Sequence, residues 1–166
     1  SGQVRHHRGG HADYSEGMQS FYSKSLGEQL ISIVADNATR YPIRSDYYSP
    51  DERYPEYTYG HISGKPNPVY RALRTCLAQS GLDREHFGKA EWNPLGRYIA
   101  SGSRVCVFSN FVYHRRSCES EDEFFAKCTN GSVLRALLDY VLLAAGSNGK
   151  VSFGNAPLQS CRWEDV

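Results

Sequence analysis

Three short hydrophobic stretches stand out in the pattern of the chain and predict β-strands. The first, LISIV at residues 30–34, is rich in β-branched residues and is followed by polar ones, which is typical of a buried strand. The second, at residues 105–108, shows no alternation of apolar and polar side chains, which predicts burial on both faces. The third covers residues 151–153 and breaks at Gly154.

Two amphipathic stretches predict helices, each with a start and a stop signal. In NPVYRALRTCLAQSG, Asn67 is suited to cap the helix, Pro68 to its first position and Gly81 to its end. In NGSVLRALLDYVLLAAG, Ser132 is the predicted cap and Gly146 the predicted stop. The apolar faces, at helical spacing, are formed by Val69, Leu73, Cys76 and Leu77 in the first helix and by Val133, Leu134, Leu137, Leu138, Val141 and Leu142 in the second.

The order strand, helix, strand over residues 103–155 is the pattern of a βαβ unit. Such a unit joins two parallel strands by a right-handed crossover. The predicted fold class is therefore α/β, with helices covering a mainly parallel sheet. Residues 29–166 are predicted to form one domain, and residues 1–28, which lack a clean period, a partly flexible N-terminal segment.

Polar residues follow each predicted strand, and together they mark the expected ligand edge. In open α/β sheets, ligands bind beyond the carboxyl ends of the strands, where the next helix begins and its dipole favours anions. If the three strands are neighbours, one edge collects Asp36, Asn37, Arg40, Ser109, Asn110, His114, Arg115, Arg116, Gly154, Asn155 and Gln159.

Each of these residues has a structural interpretation beside the functional one. Arg115 and Arg116 suit a phosphate or carboxylate, but a solvated basic loop fits them equally. His114 suits acid–base chemistry, although spacing assigns it no carboxylate partner. Asn110 and Asn155 either fix a backbone turn or donate to a ligand, and the turn at residues 154–157 lets backbone approach a ligand closely.

Charge and cysteine content narrow the class of partner. Lys and Arg total 19 against 18 for Asp and Glu, so no global charge directs the chain to nucleic acid or to a membrane. The five cysteines are odd in number and none shows C-x-x-C spacing, which favours reduced thiols and a cytoplasmic setting. A redox or metal protein using Cys118, Cys128, Cys161 and His114 is the weaker alternative. No cofactor motif is present, so the cofactor is left unassigned.

Four stretches together resemble the bacterial and archaeal family called domain of unknown function 362. The resemblance covers the chain from about Leu30 onward, and most specifically from Asn67. It implies a Rossmann-like α/β layer and an enzymatic role that the family itself leaves undefined. The stretches are NPVYRALRTCLAQSGLD, FGKAEWNPLGRYIASGSRVCVFSNFVYHRR, TNGSVLRALLDYVLLAAG and VSFGNAPLQSCRWEDV.

Two departures from the family pattern bear on function. Family members carry Lys-Pro-Asn where this chain has Phe108-Ser109-Asn110, so Asn110 is kept and the lysine is replaced. The family domain also continues well past GNAPLQSC, so this chain is expected to be a fragment, a natural short form or one part of an assembly. An incomplete parallel sheet would leave an open edge, which favours pairing with a second copy or a partner chain.

Two classes of function therefore compete. The first is a small-molecule enzyme, or the remnant of one, that binds an anionic ligand at the strand ends. The alternative is a non-catalytic interaction or scaffold protein, or a subunit of a larger assembly. The tyrosine-rich segment at residues 41–59 supports the alternative as a contact surface, although tyrosine in a long loop is more often explained by aromatic packing.

Overall fold

The computed structural model describes residues 21–26, 29–36, 39–111, 118–120, 123 and 126–155. Within them the fold is mixed α/β, with two helices and two small sheets of two strands each. No helix in this described part of the chain combines the length and apolar character that a bilayer crossing requires. The elements are β1 (Phe21–Leu26), β2 (Gln29–Val34), α1 (Pro68–Gln79), β3 (Arg104–Phe108), α2 (Gly131–Ala145) and β4 (Lys150–Gly154), with 3-10 turns at Ser45–Tyr47 and Arg84–His86.

Helix α1 begins where its sequence signals predict. The side chain of Asn67 accepts a hydrogen bond from the backbone N–H of Tyr70 at 3.1 Å, and Pro68 takes the first helical position. Asn67 is fully buried, and its amide also donates to the backbone carbonyl of Ser49 at 2.9 Å. Gly81 follows the helix with a φ of 71°, a backbone conformation that glycine adopts without strain. The predicted helix is confirmed at both ends.

Helix α2 is confirmed, but its cap is Asn130 and not the predicted Ser132. The carboxamide oxygen of Asn130 accepts hydrogen bonds from the backbone N–H of Ser132 at 2.9 Å and from its hydroxyl at 2.7 Å. Asn130 has the extended backbone of an N-cap residue, and its carbonyl accepts the first intrahelical hydrogen bond from Leu134 at 3.1 Å, so the helix begins two residues earlier than predicted. At the other end, the N–H of Gly146 donates to the carbonyl of Leu142, and Gly146 has a φ of 69°.

Strands β3 and β4 are parallel neighbours joined through α2, so the predicted parallel pairing is confirmed. Val105 and Val107 lie on the half-buried face of β3, on the opposite side from Phe108, whose side chain is 79% exposed. The prediction of burial on both faces is therefore wrong for β3. Helix α2 packs against this sheet, and the described residues place no second layer over Phe108.

Strand β2 does not belong to this sheet. It pairs with β1 in an antiparallel sheet of its own, and Ile31 and Ile33 are 43% and 47% exposed. The prediction of a buried strand next to β3 is therefore wrong. Because β1 ends only three positions before β2 begins, pairing the two costs little loop-closure entropy. The hydroxyl of Ser32 ties β2 to Gln79 at the end of α1, at 3.1 Å.

The core of the described residues is aromatic and surrounds the guanidinium of Arg74, whose side chain is 12% exposed. Arg74 on α1 forms a two-pronged hydrogen bond to the carboxylate of Glu56, at 2.7 and 3.2 Å, and Glu56 is 2% exposed. The guanidinium lies over three aromatic rings, which screen the ion pair from water. Their centroids lie 4.3 to 5.1 Å away and belong to Tyr54, Phe87 and Trp92. Aromatic packing of the loop-rich half is thus present.

Candidate functional site

The carboxyl ends of β3 and β4 lie together. In the register of the parallel pair, Phe108 is opposite Gly154, and the N–H of Ser109 donates to the Gly154 carbonyl at 3.3 Å. Asn110 and Asn155, which follow the two strands directly, therefore leave the sheet at the same end. Helix α2 is antiparallel to the strands in a βαβ unit, so it begins at this end as well. We call this end of the sheet, with residues 109–110, 154–155 and the first turn of α2, the strand-end edge.

Asn110 has a structural role at this edge. Its side-chain amide donates to the carbonyl of Lys127 at 3.1 Å. Its backbone N–H donates to the hydroxyl of Thr129 at 3.1 Å, and its carbonyl accepts from the Thr129 N–H at 2.7 Å. Beyond it, Phe111 pairs with Cys128 in an isolated β-bridge. Asn110 thus joins the end of β3 to Lys127 and Thr129, which come just before α2.

Ser109 is the least satisfied polar residue of the strand-end edge. It is 6% exposed, and its hydroxyl has no hydrogen-bond partner among the described residues. By the two-residue period of the strand, it continues the face of Val105 and Val107 and so faces the layer of α2. A buried hydroxyl without a partner costs about 1–3 kcal/mol, which makes this position a candidate contact for a ligand.

The first turn of α2 is closely packed at its outer side. A Cβ atom on Gly131 would lie 2.8 Å from the ring of Tyr48, a distance that real contacts do not reach. A larger residue at position 131 would therefore require a shift of the Tyr48 ring, which directly follows the 3-10 turn at Ser45–Tyr47. The tyrosine-rich segment accordingly packs against the helix that bounds the strand-end edge.

The other predicted site residues fall into two groups. Asp36 follows β2, and its carboxylate accepts from the hydroxyl of Thr39 at 3.0 Å. It therefore belongs to the end of the antiparallel sheet, because β2 does not pair with β3 or β4. Arg40 follows the same strand, and its guanidinium donates to the backbone carbonyl of Thr39 at 2.9 Å. The remaining residues lie outside the described part of the chain: Asn37, His114, Arg115, Arg116 and Gln159.

A small buried cavity between the loop at residues 54–59 and α2 is the first alternative location. Tyr59, Tyr70 and Asp139 are among the residues that line it, and its volume is about 10 Å³, room for about one water molecule. Tyr70 donates to the carboxylate of Asp139 at 3.2 Å. Burial raises the pKa of this carboxyl group, while Arg135, bound at 3.0 Å, lowers it. The cavity is too small for a substrate.

A pair of side chains that the sequence analysis missed lies after α1. The Nδ1 atom of His86 is 2.6 Å from a carboxylate oxygen of Asp83, and the other oxygen accepts from the N–H of Asn93 at 2.8 Å. The hydrogen bond to Asp83 raises the pKa of His86, and the hydrogen bond from the Asn93 N–H lowers the pKa of Asp83. Among the described residues, only Asp83, Glu85 and His86 bring three metal-ligand atoms within 4.8 Å of one another. The D-x-x-H spacing directly after the helix stop was the available signal.

No protein family, no curated protein and no solved structure matches the chain.

Proposed function

We propose that this protein binds a small anionic molecule at the strand-end edge, as an enzyme or the remnant of one. The observation that carries the proposal is the buried hydroxyl of Ser109, which lacks a partner among the described residues. It lies at the joint end of two parallel strands, the place where α/β sheets bind ligands.

The surroundings of Ser109 support an anionic ligand. The N-terminal end of α2, a helix of 15 residues, contributes the positive end of its dipole. Gly154 and the exposed Asn155 flank the same edge, and a glycine allows a ligand close to the backbone. The acid–base role of His114 and the anion-binding roles of Arg115, Arg116 and Gln159 stay predictions from the sequence.

Thermal denaturation and calorimetry with inorganic phosphate, nucleotides and sugar nucleotides test this proposal. A binder present at 100 times its dissociation constant raises the free energy of unfolding by about 2.7 kcal/mol. We expect Ser109→Ala to weaken binding of such a ligand at least tenfold. The matched control is Ser152→Ala, since Ser152 is an exposed residue of β4.

Two results would contradict the proposal. One is the absence of any stabilisation across the panel of phosphate compounds. The other is a ligand whose affinity falls equally in Ser109→Ala and Ser152→Ala, because that ligand would not distinguish the strand-end edge from the outer face of the sheet.

A second candidate function, assembly with another copy of this chain, is favoured by the outer face of β3. Phe108 is 79% exposed there, whereas strands of parallel sheets are normally covered on both faces. A second copy that covers this face, or extends the sheet at its edge, would produce the larger Rossmann-like layer that the family resemblance implies. Light scattering after size exclusion tests this: we expect a dimer that Phe108→Ser converts to a monomer, and a wild-type monomer at all concentrations excludes it.

A further inference from the structure

Residues between 81 and 97 line an open cleft with a volume of about 430 Å³. Ligand sites commonly measure about 300–1,000 Å³. The cleft precedes β3 in the chain and shares no residue with the strand-end edge. Its lining residues are Gly81, Leu82, Asp83, His86, Glu91, Asn93, Pro94, Gly96 and Arg97.

The cleft has a rigid framework. The indole N–H of Trp92, a fully buried residue, donates to the carbonyl of Leu82 at 3.1 Å. One residue further, the N–H of Asn93 donates to Asp83. These two hydrogen bonds join residues 82–83 to residues 92–93, and Trp92 packs on Tyr140 of α2 with ring centroids 5.5 Å apart.

His86 is oriented within this framework. Asp83 is held at both carboxylate oxygens, and it adopts a left-handed backbone conformation with a φ of 49°, which is uncommon for a residue other than glycine. A carboxylate bound to Nδ1 keeps the proton of a neutral imidazole on that nitrogen. The Nε2 atom of His86 then carries the lone pair and is a hydrogen-bond acceptor.

Two opposite charges on the cleft wall have no partner in the part of the chain that the structure describes. Glu91 and Arg97 are both exposed, and neither forms an ion pair or a side-chain hydrogen bond with any described residue. They do not pair with each other although they line the same cleft. Glu91 therefore offers its charge to a cation, and Arg97 offers a planar donor fork to a carboxylate.

We infer that this cleft binds a small zwitterion of the free amino acid class. Arg97 binds the carboxylate of the ligand, Glu91 binds its ammonium group, and the Nε2 atom of His86 accepts a hydrogen bond from that ammonium. Asp83 is a positioning residue, because it acts on the ligand only through His86. The inference is independent of the function proposed for the strand-end edge.

Calorimetry with a panel of free amino acids tests the inference, and two blocked series separate its parts. N-acetyl amino acids lack the ammonium group, and amino acid amides lack the carboxylate. For an amino acid that binds, we expect each blocked form to bind at least tenfold more weakly. Absence of heat from every amino acid at millimolar concentration overturns the inference, and so does equal affinity for the blocked forms.

Variants of exposed residues locate the site without disturbing the fold. We expect Arg97→Gln and Glu91→Gln each to weaken binding at least tenfold. The matched control is Arg84→Gln, since Arg84 is exposed on the neighbouring 3-10 turn and does not line the cleft. An equal loss of affinity in Arg84→Gln would mean that binding depends on the overall charge of the segment and not on contacts in the cleft, and it would overturn the assignment. Ser109→Ala leaves this binding unchanged, which distinguishes the two sites.

The pH dependence of binding tests the orientation of the ligand. Asp83, Glu85 and Lys89 are the charged groups that act on His86, and Glu91 and Arg97 share its cleft. Protonation removes the Nε2 acceptor and repels the ammonium group, so affinity decreases as the pH falls through the pKa of His86. The same decrease should shift to lower pH in Asp83→Asn. Affinity that increases on acidification would overturn the contact to the ammonium group.

Discussion

At the scale of single residues, the hydroxyl of Ser109 should lower the stability of the free protein and strengthen ligand binding. Its buried hydroxyl has no partner among the described residues, so in the absence of ligand Ser109→Ala should raise the free energy of unfolding by about 1 kcal/mol. Urea denaturation measures the change. Ser152→Ala, on the exposed side of β4, should change stability by less than about 0.5 kcal/mol. A destabilised Ser109→Ala variant would mean that the hydroxyl is satisfied.

His86 gives a second prediction at this scale. Its hydrogen bond to Asp83 raises its pKa, so the imidazole NMR titration should lie above that of an unperturbed histidine, and Asp83→Asn should return it. The pair therefore stabilises the fold below the pKa of an unfolded histidine. This contribution is lost as the pH rises through the folded pKa. An unchanged titration in Asp83→Asn would contradict the coupling.

At the scale of elements, the two helix caps should differ in cost. The fully buried side chain of Asn67 binds both Tyr70 and Ser49. The side chain of Asn130, which is half-buried, binds only Ser132 among the described residues. Asn130→Ala should cost about 1 kcal/mol. Asn67→Ala should cost about 2–3 kcal/mol, because it also leaves a buried carbonyl without its donor. Equal losses in thermal denaturation would contradict this ranking.

The same elements show how far the sequence predicts the fold. Helix boundaries depend on local signals, so Asn67, Gly81 and Gly146 place both ends of α1 and the end of α2, whereas the start of α2 was predicted two residues late, at Ser132 and not at Asn130. Strand pairing depends on distant residues, and the run at residues 30–34 carried no information on whether β1 or β3 would be its neighbour. The same distinction applies to the predicted site. Asn110 and Asn155 share an edge because one βαβ unit contains both. Asp36 does not join them, because it follows a strand of the other sheet.

At the scale of the whole molecule, the pairing of Arg74 with Glu56 connects distant parts of the chain. Glu56 lies in the loop, Arg74 on α1, and Tyr140 of α2 donates to Glu56 at 3.0 Å. Arg74→Ala leaves a buried carboxylate without its cation and should cost about 3–5 kcal/mol. Arg71→Ala, on the same helix but 47% exposed in its side chain, should cost about 1 kcal/mol or less. Comparable losses in chemical denaturation would contradict the central role of Arg74.

The loop at residues 49–63, which contains Glu56, has unusually buried residues for irregular backbone. It contains neither helix nor strand, yet Ser49, Tyr54 and Glu56 are as buried as the helices they touch. The backbone N–H groups of Tyr57 and Ser63 donate to the carbonyls of Tyr54 and Pro50, so these two amide protons should exchange with deuterium more slowly than is usual for irregular backbone. Loops are usually the safest places to insert a tag or shorten a chain; here, such an insertion would unfold the protein.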